Sequence, residues 1–365
     1  MILILGATAC NKQKIGESVN NTNSLSVNNS GQHIQRQLDT NLSVDADVIA
    51  PTGINKVNML RVSPVTLVNK TVETLLLANS SISQKQDNGD NGTVCQTADG
   101  KELYIGMGQV NFQTGKFRTY IHQILYKDII PGDAFFNFNR FSKNRDLDLP
   151  FMPHQQAVDE VKRGLLSLGI SVYDKVETYS LDYQTLQTQE KTLNDKGELT
   201  SPKDGSTILK DGWNKEDNCY FMILRSGFDN LPIYPLDHGS VEANTIVPSA
   251  YIYVCYSQKG FEYLTMANQY QKMSTDQEGL NLISAEEALA VVKRKYGNII
   301  LTDPTTITGI ELNYVRTLIN QSRDEFQMVP AWCFEVTEIR AMGDGSKVTA
   351  HSRVIIDATN GGEIL

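Results

Sequence analysis

Ala157-Val158-Asp159-Glu160-Val161-Lys162-Arg163 is echoed 131 residues later by Ala288-Leu289-Ala290-Val291-Val292-Lys293-Arg294, and the same offset carries Leu181-Asp182-Tyr183 onto Leu312-Asn313-Tyr314. Two matches in one register point to an internal repeat. Each heptapeptide sits on an amphipathic helix. Val158, Val161, Leu165 and Leu168 fall three and four residues apart, as do Ala285, Ala288, Leu289, Val292 and Tyr296, which is the spacing of one apolar helix face. The second helix opens at a capping box, Ser284-Ala285-Glu286-Glu287, and stops at Gly297; hydroxyl and carboxylate there each satisfy a free backbone N–H. The first is expected to start at Pro153 and stop near Gly169. A third is expected from Pro64 to Leu77.

Strand-like runs follow each helix, around 176–186, 220–225, 250–256 and 261–266 after the first, and around 307–315, 332–339 and 348–357 after the second. Ile252-Tyr253-Val254 leads through Ser257-Gln258-Lys259-Gly260 to Glu262, as Val354-Ile355-Ile356 leads through Thr359-Asn360-Gly361-Gly362 to Glu363. The offset here drops to about 102, so the first unit carries an insertion. Polar residues 187–217 are the expected insertion, as a long hairpin or mobile loop. Before residue 150, strands are expected at 102–107, 108–112 and 116–126, the last two joined by a tight turn at Gln113-Thr114-Gly115-Lys116.

Upstream, Ala7-Thr8-Ala9-Cys10 follows a short apolar run and reads as a lipobox, with cleavage before Cys10 and a diacylglycerol on its thiol. Residues 11–50 are rich in Asn, Ser, Gln and Thr and nearly lack aromatic residues, the composition of a tether too polar to order itself. As a coil of about 35 residues it would span about 30–35 Å. The fold class expected is α+β: repeated units of one helix packed on a mostly antiparallel sheet, after a disordered lipoprotein tether. The domains are a signal-peptide remnant at 1–9, the lipidated Cys10 and tether at 10–50, an N-terminal α+β piece at 51–150, a first repeat at 151–270 and a second at 271–365.

The stretch Val329-Pro330-Ala331-Trp332-Cys333-Phe334-Glu335-Val336, followed by Val354-Ile355-Ile356-Asp357-Ala358-Thr359-Asn360-Gly361-Gly362-Glu363-Ile364, resembles the closing signature of YycI/YycH-type and PepSY-like extracytoplasmic domains. The resemblance covers residues 151–365. Together with the lipobox, the tandem is similar to Clostridia-type lipoproteins grouped as a family of unknown function. The resemblance implies a non-enzymatic regulatory or interaction module on the outer face of the cell membrane. It departs from YycH and YycI in its anchor, which is a lipid here and a transmembrane helix there. The signature residues read as structural: Pro330 and Trp332 are expected to begin a strand against the helix, with Trp332 supplying a large buried surface, Asp357 and Asn360 to shape a turn, and Gly361 and Gly362 to let the chain reverse.

A formal charge of −9 disfavours sequence-independent binding to nucleic acid. No run of about 20 apolar residues is present to span a membrane. The chain lacks G-x-S-x-G, S-x-x-K, H-E-x-x-H, G-x-G-x-x-G and P-loop motifs. Cys95, Cys219, Cys255 and Cys333 are far apart with no C-x₂-C spacing, which argues against zinc and leaves either buried thiols or a pairing among the last three. The histidines are scattered, and Asp87-Asn88-Gly89-Asp90-Asn91-Gly92 has a calcium-loop look without EF-hand spacing. No cofactor is expected. Candidate binding residues are Trp332, Tyr183, Tyr314, Phe136 and Phe138, the last two from the aromatic stretch 135–141. The expected partners are the membrane, through Cys10, and an envelope protein, peptide or wall polymer. The alternative is an envelope hydrolase, acting for example on glycans through dispersed carboxylates.

Overall fold

The computed structural model describes residues 31–126, 138–199, 206–236, 238–240, 245–320, 322, 324–343 and 345–364. Strands β1 (His33–Asp39), β2 (Leu42–Ile49) and β3 (Lys56–Pro64) lead to helix α1 (Asn69–Leu76), then to β4 (Ile82–Asp87), β5 (Thr93–Thr97), β6 (Glu102–Gly106) and β7 (Gln109–Gln113). Next come α2 (His122–Tyr126), α3 (His154–Ser167), β8 (Glu177–Leu181), α4 (Tyr183–Asp195) and β9 (Cys219–Leu224). Two short hairpins follow, β10 (Gly227–Phe228) with β11 (Leu231–Pro232) and β12 (His238–Ser240) with β13 (Thr245–Val247). The chain closes with β14 (Tyr251–Ser257), β15 (Gly260–Ala267), β16 (Tyr270–Asn281), α5 (Ala285–Gly297), β17 (Thr305–Leu318), β18 (Phe326–Ala341) and β19 (Lys347–Asp357).

These elements make a mixed α+β fold dominated by two sheets. One is an antiparallel eight-stranded sheet in the order β4-β5-β6-β7-β15-β14-β9-β8. The other has seven strands, β1-β2-β17-β18-β3-β16, with β19 also on β18. Among the described residues, only β2 and β17 pair in parallel within it. Residues 82–267, which hold the eight-stranded sheet, are inserted between β3 and β16 of the other. This corrects the consecutive division at 51–150, 151–270 and 271–365, because β3 belongs with the C-terminal strands while β4 to β7 complete the sheet beside α3.

The helices read from the repeat form as expected. Helix α3 starts after Pro153 and buries Ala157, Val158, Val161 and Leu165, the two valines and the leucine each contributing about 1.5–3 kcal/mol by leaving water. Gly164 lets the helix approach the sheet, since a Cβ there would lie 3.1 Å from the Phe261 ring. Helix α5 keeps its capping box at Ser284 and Glu287 and buries Ala285, Ala288, Leu289 and Val292. The third expected helix shortens to α1, because residues up to Pro64 remain in β3.

Four further expectations are corrected. The tether does not reach residue 50: β1 and β2 occupy 33–49, and Leu42, Val44, Ala46 and Val48 alternate into the core beside β17. A polar average over 11–50 hides that two-residue period. Residues 187–195 continue a helix rather than a hairpin, with Asp182 Oδ1 accepting from Thr185 N at its start and Leu186 and Leu193 buried beneath it. Residues 116–126 are not a strand; a π-helical turn, Phe117–Ile121, runs into α2, and Phe117, Ile121, Ile124 and Leu125 share one buried side. Pro330 does not begin a strand but lies inside β18, where that strand changes partners. Pairing with β3 ends at Met328 and pairing with β19 starts at Ala331, so a residue without an N–H fits the gap.

Candidate functional site

The segments Tyr251-Ile252-Tyr253-Val254-Cys255 and Cys219-Tyr220-Phe221-Met222-Ile223 alternate in pairing strands, so each sends its side chains to opposite faces. Tyr220, Met222, Ile252 and Val254 join α3 in one core. Phe221 and Tyr253 join Tyr179 of β8 on the other face, partly covered by α4 and the 117–126 helix. Phe138 stacks on Tyr179 at 4.7 Å and lies 5.0 Å from Phe221, and Tyr251 stacks on Tyr253 at 5.5 Å. Phe138, Tyr179, Tyr251 and Tyr253 form one wall of a cleft between the two sheets, with Phe221 buried behind them. Ile49 of β2 and Leu236, after β11, form the other, and the enclosed space is about 560 Å³. That volume falls in the range of sites for small ligands or a few side chains.

Both carboxylates of the cleft, Glu177 and Glu311, are paired with arginines, and Lys175 also lines it. Arg225, at the end of β9, donates to both Glu311 oxygens at 2.6 and 3.0 Å and to Asn313 Oδ1 at 3.1 Å. This pair ties the eight-stranded sheet to β17. Burial works against the Arg225 charge, yet Glu311 outweighs it and raises the guanidinium further. Glu177 accepts from Arg145 at 2.5 Å. Burial, with Glu177 adding to it, pushes the Tyr179 hydroxyl up to about 12; burial first, then neighbouring Tyr251, does the same to Tyr253, also to about 12. Both tyrosines therefore stay neutral at physiological pH, offering ring faces and hydroxyls rather than charge.

The aromatic candidates read from sequence do not converge. Phe138 lines the cleft. Trp332 is buried under α5, its Nε1 donating to Ile283 O at 3.0 Å. Tyr314 is equally buried and donates its hydroxyl to Asn58 O at 2.9 Å. Tyr183 is the first residue of α4, with its backbone N–H held by Asn218 Oδ1 at 2.8 Å. Phe136 and Cys10 lie outside the described residues. Sequence reading missed Tyr179, Tyr251, Tyr253, Arg225 and Glu311. The Tyr-x-Tyr spacing at 251–253 was the available signal, because in a strand it puts both rings on one face.

Cys95, Cys219, Cys255 and Cys333 are buried free thiols. Burial raises those of Cys95, Cys255 and Cys333 above the ordinary range, so they are poor nucleophiles. Among the described residues, no three His, Cys, Asp or Glu side chains are placed to hold a metal ion. Residues 87–92 form a turn between β4 and β5 around the short 3-10 helix Gly89–Asn91. No helix of the described residues is long and apolar enough to cross a membrane.

No known family model and no curated protein matches the chain. Among solved structures, it is similar to an uncharacterized protein from Eubacterium rectale ATCC 33656, with a TM-score of 0.65 and 15% identity, over 91% of this chain and 93% of that one. At that identity the likeness concerns the fold.

Proposed function

We propose that this protein is a lipid-anchored, non-enzymatic binding module of the cell envelope, and that the inter-sheet cleft seats a peptide or a segment of an envelope protein. The observation that carries this reading is the cleft lining: tyrosine rings and aliphatic side chains form both walls, and the Glu177 and Glu311 carboxylates are each held by an arginine. A glycan-acting hydrolase would need two carboxylates committed to the scissile bond. Glu177 and Glu311 are committed to Arg145 and Arg225 instead. The cleft offers apolar contact with a few orienting polar groups, as ligand sites do.

The proposal extends to the architecture. Helices α3 and α5, each laid on an antiparallel sheet, are read as two copies of one unit of the YycI/YycH and PepSY-like kind. Leu181 and Leu312 support the pairing, each buried in the first strand after its helix. Tyr183 and Tyr314 depart from it, one starting a helix and the other lying in a strand. Cys10 is the proposed anchor.

A photo-cross-linking phenylalanine analogue at position 251, on intact cells, tests the cleft. Capture of one envelope protein or peptide from position 251, and not from exposed Gln156 on α3, is the expected outcome. Capture of the same abundant neighbours from both positions would reject it. In the same strain, Cys10→Ala is expected to move the protein from the membrane fraction into the medium, whereas unchanged membrane association would remove the anchor.

A further inference from the structure

A second feature, on the far half of the eight-stranded sheet, points to a different ligand chemistry. Strands β5, β6 and β7 alternate strictly, sending Cys95, Leu103, Ile105, Val110 and Phe112 into the core under α1 and α3. Their other face carries planar polar side chains in two cross-strand rows. The first row runs Gln84, Gln96, Glu102, Gln113 and Tyr263, each residue directly opposite the next. The second runs Gln86, Val94, Tyr104, Asn111 and Thr265. Five primary amides thus share one face. Asn is poorly suited to strands and β-branched residues are favoured there, so propensity does not account for Asn111 in the middle of β7.

The amides are oriented. Gln113 Nε2 donates to Glu102 Oε2 at 3.1 Å, Arg118 donates to the other oxygen of Glu102, and the Thr265 hydroxyl donates to Asn111 Oδ1. With its carbonyl oxygen so engaged, Asn111 keeps its amide N–H groups for a ligand. The Tyr104 hydroxyl is held by Asn91 O at 3.2 Å. Gln96, Glu102, Tyr104, Asn111, Gln113 and His122 line a recess of about 380 Å³, with the Tyr263 ring in its wall. Glu102 and Arg118 cancel in charge, and burial holds His122 below the ordinary imidazole range, so it is neutral at physiological pH.

A ligand here must match several donors and acceptors at once, carry no required charge and meet apolar surface from Val94 and from Tyr263, whose ring is itself stacked on Phe117 at 4.3 Å. The backbones of β5, β6, β7 and β15, which line the recess, are already paired on both edges, the open edge of this half being β4, so inside the recess only side chains can bind. We infer that this face is a saccharide-binding site for neutral pyranose rings of a glycan chain. It is distinct from the inter-sheet cleft and stands whether or not that cleft binds a peptide.

The test is titration of the ¹⁵N-labelled protein with chitotetraose, cellotetraose and maltotetraose, read on the side-chain amide signals. At least one sugar is expected to shift Gln96, Asn111 and Gln113 saturably at millimolar concentration. Asn111→Val and Gln113→Val suit a strand and should leave the melting temperature in place, yet each should weaken binding about tenfold. The inference is overturned if none of the three sugars shifts these amides, if both variants bind as well as the parent, or if shifts appear only around Tyr251 and Tyr253.

Discussion

Trp332→Ala is expected to lower the free energy of unfolding by about 3–5 kcal/mol, the cost of deleting a large aromatic side chain from a packed core. Trp332 is 1% exposed and sits between Leu312 of β17 and Ile356 of β19 in the cross-strand register. Leu289 and Val292 of α5 belong to the same core. Removing the indole opens a cavity between helix and sheet and strips Ile283 O of its donor where the chain enters α5. Trp332→Phe keeps most of the apolar surface but not the hydrogen bond, so about 1–3 kcal/mol is expected for an acceptor left unmatched. Against a total of about 5–15 kcal/mol for a typical domain, the Ala variant loses a large fraction. Urea unfolding followed by circular dichroism measures the loss. The other tryptophan, Trp213, lies in the aromatic core of the eight-stranded sheet and gives a separate fluorescence signal. If the sheets fold as one unit, both signals shift together. A loss under about 1 kcal/mol would mean that the site collapses around the smaller side chain.

Glu262→Ala comes second, at about 3–5 kcal/mol, because it removes one partner of a buried ion pair. Glu262 is 3% exposed in the β14–β15 hairpin, and Lys116 Nζ lies 2.8 Å from its Oε1. Thr114 Oγ1 and Ser257 Oγ also donate to it, at 2.6 and 2.7 Å. Burial alone would raise this carboxyl, but Lys116 and the two hydroxyls outweigh burial and hold it below the ordinary carboxylate range. A depressed pKa contributes stability above the unfolded value, near 4.5, that disappears as pH falls through the folded value. Lys116, raised by Glu262 despite the opposing effect of burial, contributes below the ordinary lysine value near 10.5 and loses that contribution as pH rises through its folded value. The wild type should therefore lose stability below about pH 4.5 more steeply than Glu262→Gln, which keeps side-chain hydrogen bonds and has no charge to titrate. Parallel acid profiles for the two proteins would show that the charge of Glu262 does not matter. Glu363, its counterpart in the sequence echo, is exposed and pairs with Lys295; the same local pattern has been used for a surface contact.

Much of the molecule was legible in the chain itself. Helices α3 and α5 and strands β17, β18 and β19 were readable because each buries one face with a strong local period, and Ser284, Gly169 and Gly297 marked ends. Helix α4 was not, since Gln187 to Asp195 presents mostly polar residues and only Leu186 and Leu193 betray its buried side. Strands β1 and β2 were lost in a polar composition that conceals the alternation at 42–48. Of the cleft, the aromatic residues were visible, but Phe138 was the only one of the chosen candidates in the described structure to reach it.

By itself the sequence determined the α+β class, the two apolar helix faces and the C-terminal strands, because helical and strand periods are set by bonds between near neighbours. Only the tertiary structure decided that β2 lies beside β17, that residues 82–267 form an inserted sheet, and that Arg225 meets Glu311 across a tyrosine-lined cleft. Those pairings join residues tens to hundreds of positions apart, and the free energy that selects them comes from burying whole faces together rather than from any local spacing.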